Sequence, residues 1–384
     1  MTDNFVDFLN FLDKKFGDTT LFQFHLTSSK TYHEFVTDVF KACDYLIQKG
    51  IKPHDKIILA IVTNYDEIKI MIALICIGAI VIPIGSPCKT DFLNFAFDQY
   101  NPKYLIATSD FLKSIDTNRK YNVLYVKDVH SNKAASLFET NPLDDCTIFQ
   151  TSGTTGEIKS FAMTQKGLLS GVDRFNYINL DTYKNKLMSH FLFCPMWVPN
   201  IFYEFVIGLY VGRTFKLFDR KSKLNFIEQL DYYRPDFLFL LKGVYIDFFI
   251  KRLKAGQKIN VLKIGFGGDK LSPDQINLFL SNNIEVFHGY VASEIGLVAV
   301  NNYRLGGIVA NAAQTNCFAE LWLDKTELKI INNEIFIKRK HMIHRYFNND
   351  LLNKERFIDG WFNTKDQGYI NESGKLCLIG RSKS

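Results

Sequence analysis

Thr151-Ser152-Gly153-Thr154-Thr155-Gly156-Glu157-Ile158-Lys159 is the stretch on which the reading of this chain turns. Two glycines allow unusual backbone angles and close approach, four hydroxyls offer hydrogen bonds, and a lysine follows, which together outline a polyphosphate cradle. Cys146 to Phe149, just ahead of it, reads as a strand leading into the loop. The pattern G-x-x-x-x-G-K-[ST] does not fit, because Gly153 and Gly156 stand too close together and Lys159 comes late. A polar hairpin turn is the alternative. Such a turn needs only one or two residues of this kind, whereas here the small and hydroxylic residues run on without a break.

On the N-terminal side, apolar residues recur at helical spacing from Thr31 to Lys49 and stop at Gly50. An Ile-rich strand at Lys56 to Val62, a helix at Ile68 to Cys76 and a strand at Ile80 to Ile84 follow, a β-α-β alternation that implies a parallel sheet covered by helices. A second alternation runs from about His190 to Asn302. Its strands are expected at Phe237 to Leu241, Val261 to Phe266 and Ile284 to Phe287, and its helices at Phe226 to Tyr232, Val244 to Leu253 and Pro273 to Leu280. Beyond Asn302 the texture shifts to short alternating segments, Phe318 to Leu323, Glu327 to Ile331 and Glu334 to Lys338, as in a small barrel. The expectation is an α/β protein with two doubly wound mixed or parallel sheets, flanking helices and a small β-barrel subdomain. Its parts are 1–189 with the phosphate loop, 190–302, and 303–384.

Composition narrows the function classes. With 384 residues, 47% hydrophobic and 22% charged, the chain has ample material for large cores and lacks the signature of disorder. A net charge of +6 without any run of five Lys or Arg argues against a nucleic-acid or lipid-headgroup partner. The longest apolar run, Met71 to Ile84, is shorter than the ~20 residues of a spanning helix and contains Gly78, so no membrane span is expected. The seven cysteines are scattered without CxxC spacing, which speaks against zinc and a disulfide framework. The N-terminus has no secretory pattern, and a reduced cytoplasm fits these features best.

The segment from Thr151 to Lys159 closely resembles the signature loop [ST]-[ST]-G-[ST]-[ST]-G-x-P-K of the AMP-forming acyl-adenylate synthetase superfamily, with Ile158 at the proline. This superfamily holds acyl-CoA synthetases, luciferases and peptide-synthetase adenylation domains. Its other motifs follow in order. Gly265 to Pro273, containing Gly267, Gly268 and Asp269, resembles G-G-A/E-x-L-S-P. His288-Gly289-Tyr290-Val291-Ala292-Ser293-Glu294 resembles N-G-Y-G-x-T-E, with Val291 at a glycine. Gly360 to Gly368 and Gly374 to Lys383 resemble G-W-F-x-T-G-D-x-G and G-x-L-x-x-x-G-R-x-K-D, with Lys365 at a glycine and Asp366 and Arg381 in place. Thr31 to Phe35 and Gly78 to Pro83 extend the likeness over nearly the whole chain.

The resemblance implies ATP and Mg²⁺ as cofactors. It gives the β- and γ-phosphates to Thr151, Ser152, Gly153, Thr154, Thr155, Gly156 and Lys159, and the α-phosphate to Ser293. Glu294 becomes the metal ligand, and Lys159, Ser293 and Glu294 form the catalytic set. Gly267, Gly268, Asp269, His288, Gly289 and Tyr290 join the nucleotide-binding set, with Gly268, Asp269 and Tyr290 at the adenine, and Asp366 with Arg381 falls to the ribose. Phe193 to Trp197 takes the place of the acyl-pocket segment, so Trp197, Ile201, Phe202 and Phe266 become candidate walls, with plain core as the even alternative. Pro199 stands where amino-acid-activating members carry the aspartate that pairs with the substrate ammonium. Without a carboxylate there, an aryl or alkyl carboxylic acid is favoured over an α-amino acid, since an unpaired buried cation is costly. His341 and His344 form an HxxH without a completing ligand and read as surface residues.

The implied reaction joins a small carboxylic acid to AMP, releases pyrophosphate, and hands the acyl group to coenzyme A or a carrier-protein phosphopantetheine. The likeness ends inside the family's hinge sequence, so a C-terminal lid domain or a carrier protein is an expected partner. A nucleotide- or acyl-binding remnant without turnover and one half of a split ligase are the standing alternatives.

Overall fold

The computed structural model describes residues 3–116, 119–135, 137, 140–152, 158–170, 172, 188–241, 244–268, 270–311, 313–321, 327–339, 343 and 345–382. Its packing divides the chain into two compact units, Met1–Asp173 with Pro195–Asp219, and Arg174–Cys194 with Arg220–Ser384. Where sequence texture suggests consecutive parts meeting at 189 and 302, the packing moves 195–219 into the first unit and keeps 303–384 with the second.

The first unit is built on a six-stranded sheet in the order Val123–Tyr125, Tyr104–Ala107, Lys56–Ile61, Ile80–Gly85, Asp145–Ser152 and Ile158–Thr164. The first five strands are parallel and the last is antiparallel. Helices account for the parallel connections. Tyr32–Gln48 starts at a capping box in which Thr31 accepts from Glu34 N–H and the Glu34 side chain returns to Thr31 N–H; Asn64 and Glu67 do the same for Tyr65–Cys76. The latter helix buries eleven of its twelve residues, Asp66 excepted, so the longest apolar run becomes a helix inside the core followed by the buried strand Ile80–Gly85. In the same unit Thr20–Phe24 pairs in parallel with Thr214–Leu217 and antiparallel with Ser28–Thr31.

In the second unit, Ser189–Leu192, Phe237–Leu241, Lys263–Gly267 and Glu285–Ala292 run parallel, and Gly296–Tyr303 and Glu320–Leu321 continue the order antiparallel. Helix Pro273–Ser281 begins on Ser272, whose hydroxyl caps Gln275 N–H, with Pro273 in the first turn where its missing N–H costs nothing. The β-rich C-terminal part forms a six-stranded antiparallel sheet. Its order is Cys317–Phe318, Leu376–Arg381, Trp361–Ile370, Glu334–Ile337 and Leu328–Ile331, with Phe357–Ile358 also on Trp361–Ile370. The α/β class is thus as expected.

The cysteine reading needs one correction. Cys317 and Cys377 form a disulfide across two antiparallel strands, where they are register partners with Cα atoms 3.9 Å apart. Sixty residues separate them in sequence, so only the sheet pairing brings them together. Cys43, Cys76, Cys146 and Cys194 form no disulfide among the described residues and are buried, as their apolar surroundings suggest. Among the described residues no helix is long and apolar enough to cross a membrane.

Candidate functional site

Strand pairing in the second unit assembles the nucleoside candidates. Asp366 on Trp361–Ile370 is the register partner of Arg381 on Leu376–Arg381, with Arg381 Nε 3.9 Å from Asp366 Oδ1. Tyr290, on the strand Glu285–Ala292 of the other sheet of this unit, donates its hydroxyl to Asp366 Oδ2 at 2.7 Å. Burial raises the Asp366 carboxyl above the ordinary carboxylate range, while the Tyr290 hydrogen bond and the charges of Arg381 and Arg356 pull it back. Burial first, and then the Asp366 charge, pushes the Tyr290 phenol well up, so that it donates at any ordinary pH. These groups line a cavity of about 360 Å³ together with Gly268, Lys270, His288, Gly289 and Val291.

Lys365, beside Asp366, takes a left-handed backbone conformation with φ of +60°. Glycine adopts that angle freely and a lysine does so at a cost of roughly 1–2 kcal/mol, which accounts for the glycine in the family pattern. Local bonds hold the turn: Lys365 N–H donates to Asn363 Oδ1 at 2.8 Å, Asp366 N–H to Thr364 Oγ1 at 3.1 Å, and Ser382 N–H to Lys365 O at 2.8 Å. The ammonium turns to Glu355 and Glu334, at 3.4 and 3.9 Å, leaving Asp366 to Tyr290 and Arg381.

Val291, the other residue standing at a family glycine, lines the cavity. Its Cγ2 lies 3.0 Å from where a Cβ on Gly267 would stand, so Gly267 and Val291 share one close contact. Gly268 has φ of +89° with nothing within 4 Å of an added Cβ, leaving open backbone at the cavity edge.

Ser293 and Glu294 occupy the turn between the antiparallel strands Glu285–Ala292 and Gly296–Tyr303. Tyr346 Oη donates to Glu294 Oε1 at 2.6 Å, and the Glu294 charge also raises the Asp366 carboxyl. Among the described residues no group of three or more His, Cys, Asp or Glu could hold a metal. A single carboxylate of this kind fits Mg²⁺, which protein sites bind through one or two carboxylates while substrate phosphates and water fill the remaining positions.

The first unit carries the other candidates. Thr151 and Lys159 are register partners on the two strands that flank the glycine loop, and Lys159 is half-buried. Gly153, Thr154, Thr155 and Gly156 lie outside the described residues, as do the Ser152 side chain, Asp269, His341 and His344. Trp197 is exposed, and its ring comes within 2.9 Å of where a Cβ on Gly85 would stand. Ile201 and Phe202 are fully buried; the Phe202 ring packs on Phe149 at 5.9 Å and Phe205 at 6.5 Å. In the second unit, Phe266 is buried against His288 at 5.8 Å and is not among the residues lining the cavity.

The structure adds Lys270, Thr315, Asn316, Phe318 and Leu378 to the cavity lining and Tyr346 to Glu294. Lys270 and Leu378 fall at unspecified positions within the motif segments, and Thr315, Asn316, Phe318 and Tyr346 lie outside them. The periodic segment beginning at Phe318 is the nearest sequence signal, and it identifies a strand without identifying a wall.

Comparison with known proteins points one way. The AMP-binding enzyme family matches residues 12–335. A 2-succinylbenzoate–CoA ligase from Bacillus cereus is 22% identical over 366 residues, covering 91% of this chain and 73% of that protein. A long-chain-fatty-acid–CoA ligase from Mycobacterium bovis is 20% identical over 412 residues, covering 88% and 67%. Among solved structures, the N-terminal domain of FACL13 from Mycobacterium tuberculosis gives a TM-score of 0.83 at 16% identity, covering 99% of this chain and 100% of that one.

Proposed function

The chain belongs to the AMP-binding enzyme family, and on that premise we propose that it binds MgATP and an aryl or alkyl carboxylic acid and forms acyl-AMP and pyrophosphate. The observation that carries this reading is the convergence of Tyr290, Asp366 and Arg381 on one cavity beside the open backbone of Gly268. A carboxylate held between a phenol and a guanidinium keeps lone pairs for two vicinal ribose hydroxyls, and the Tyr290 ring offers an aromatic face to a purine. With Lys365 drawn off to Glu334 and Glu355, its presence is no argument against ribose binding.

In the reaction a carboxylate oxygen of the acid attacks the α-phosphorus, the bond to the bridging oxygen breaks, and pyrophosphate leaves. The protein supplies positioning and charge: Ser293 for the α-phosphate, Glu294 for the cation, and the motif residues Thr151 to Lys159 for the β- and γ-phosphates. Pro199 opens the helix Pro199–Tyr210, so this position offers no carboxylate to an α-amine. That supports an acid without an amino group, as in the aryl and long-chain acids named for the two relatives. The thiol of coenzyme A or of a carrier-protein phosphopantetheine is the proposed acceptor.

ATP–pyrophosphate exchange with a panel of aryl and alkyl acids tests the reading. Acid-dependent exchange that disappears in Glu294→Ala is the expected result. Absence of exchange with every acid, together with no ATP-dependent rise in melting temperature, would overturn it.

A further inference from the structure

Glu294, proposed above for the cation, is held by a partner that no motif names. Tyr346 is 1% exposed and donates its hydroxyl to Glu294 Oε1 at 2.6 Å, which leaves Oε2 as the carboxylate oxygen without that bond. The phenol is itself fixed from behind. Tyr346 N–H donates to Asn353 Oδ1, and Asn353 Nδ2 donates back to Tyr346 O at 2.9 Å, tying the residue to the helix Asp350–Arg356. Its ring packs on Phe357 at 6.0 Å and Phe362 at 6.5 Å, with the Arg356 guanidinium 5.9 Å from the ring centre. Arg356, also buried, donates to the carbonyls of Asn363 and Thr364, on the strand that carries Asp366. On the chain that follows Glu294, the Arg339 guanidinium donates to the carbonyls of Ile295 and Leu297.

The turn bearing Glu294 is therefore clamped through its main chain by Arg339 and through its carboxylate by Tyr346. A glutamate side chain has three rotatable bonds, and an unheld carboxylate would have to be ordered each time a cation binds. Holding one oxygen in advance removes that cost and aims the other.

We propose that Tyr346 is a positioning residue that orients Glu294 for the divalent cation of the metal–nucleotide complex. This rests on the adenylation reading above and deepens it. Partners that orient a metal-ligating carboxylate are typically worth ~10–100-fold in metal affinity, and an effect of this size is expected here.

Tyr346→Phe removes the hydroxyl and keeps the ring, and it is compared with wild type in two measurements. In the first, binding of the non-hydrolysable analogue AMPCPP is titrated in EDTA and again across a Mg²⁺ series. Tyr346→Phe should match wild type in EDTA and require about tenfold more Mg²⁺ for the same gain in affinity. In the second, the Mg²⁺ dependence of ATP–pyrophosphate exchange should shift by the same factor, with the rate recovered at high Mg²⁺. In a Glu294→Gln background the tyrosine substitution should cause no further loss of the Mg²⁺-dependent gain. Asn353→Ser, which loosens Tyr346 without touching its hydroxyl, should give a smaller shift in the same direction and serves if Tyr346→Phe does not fold.

An unchanged Mg²⁺ requirement in the variant would overturn the proposal, and so would a loss of affinity equal in EDTA and in Mg²⁺, because that marks a merely structural role. If wild type gains no affinity from Mg²⁺ while Tyr290 and Asp366 still bind the analogue, the metal role of Glu294 falls and this inference with it. No binding by wild type at all sinks the adenylation reading instead.

Discussion

Two aromatic neighbourhoods, one in each unit, look alike in sequence and differ in kind. In the first unit Phe202 packs on Phe149 and Phe205, and Phe205 on Phe22 and Phe215, all of them fully buried. In the second, Phe266, His288, Phe318 and Tyr290 form a row with centroid spacings of 5.3–6.2 Å, and three of the four line a cavity that also holds Asp366 and Arg381. A ring enclosed on every side contributes stability through the area it buries. A ring with one face left open beside a carboxylate and a guanidinium contributes recognition. Substitutions in the first neighbourhood should move the melting transition and leave ligand preference alone, while substitutions in the second should do the reverse.

The strongest way to break that contrast is Phe202→Ala. Emptying a fully buried phenylalanine site should cost ~3–5 kcal/mol in a denaturant titration, with the ranking of acids in the exchange assay unchanged. A reordered acid preference at nearly full stability would instead make Phe202 a wall of the acid site. Asp366→Ala comes next. Hydrogen bonds to a charged group contribute ~1.5–3 kcal/mol, so nucleotide affinity measured by calorimetry should fall roughly 10–150-fold.

The same aspartate has a pH signature of defined sign. Its carboxyl is raised in the folded state, so the native protein holds more protons than the unfolded chain, and its contribution to stability falls as pH rises through that range. Asp366→Asn should flatten that part of the stability–pH profile; a steeper profile would contradict the burial assignment.

A finer test uses the contact between Val291, which lines the cavity, and Gly267 on the strand beside it. Gly267→Ala places a Cβ 3.0 Å from Val291 Cγ2, and overpacking of this kind costs ~1–3 kcal/mol, to be read as weaker nucleotide binding. Adding Val291→Ala should restore most of the loss, whereas additive losses would show that the two side chains do not compete for the same space. The smallest effect is expected at Lys365. Replacing it with glycine relieves the left-handed backbone but removes the pairing with Glu334 and Glu355 and frees the unfolded chain, for a net gain of at most about 1 kcal/mol. Nucleotide affinity should stay within about twofold, since the ammonium points away from Asp366; a tenfold change would place Lys365 in the site.

The residues that carry charge and the glycines that carry backbone freedom were legible in the sequence because their chemistry is scarce and their order is fixed. Asp366, Arg381, Tyr290 and Gly268 were named through the resemblance to the family's motifs, and the structure brings them to one cavity. The strands and helices from Phe226 to Phe287 were legible for a similar reason, since hydrophobic period is a local property. Phe237–Leu241, for instance, falls where its unbroken apolar run places it.

What local sequence leaves open depends on which surface meets which. Apolar type alone did not separate Phe202, sealed in a core, from Phe318, which faces the cavity, because both are simply hydrophobic until neighbouring elements arrive. Tyr346 is 52 residues from Glu294 and Cys377 is 60 from Cys317, and no periodicity spans such gaps. The direction of the Lys365 side chain followed from a positive φ and two glutamates, one of them on another strand. By itself the sequence determined the family, the α/β class and the polar groups that line the cavity, through residue chemistry and order. Tertiary structure alone decided which apolar rings face the cavity, which tyrosine holds Glu294 and where the lysine points, because those are contacts between segments distant in the chain.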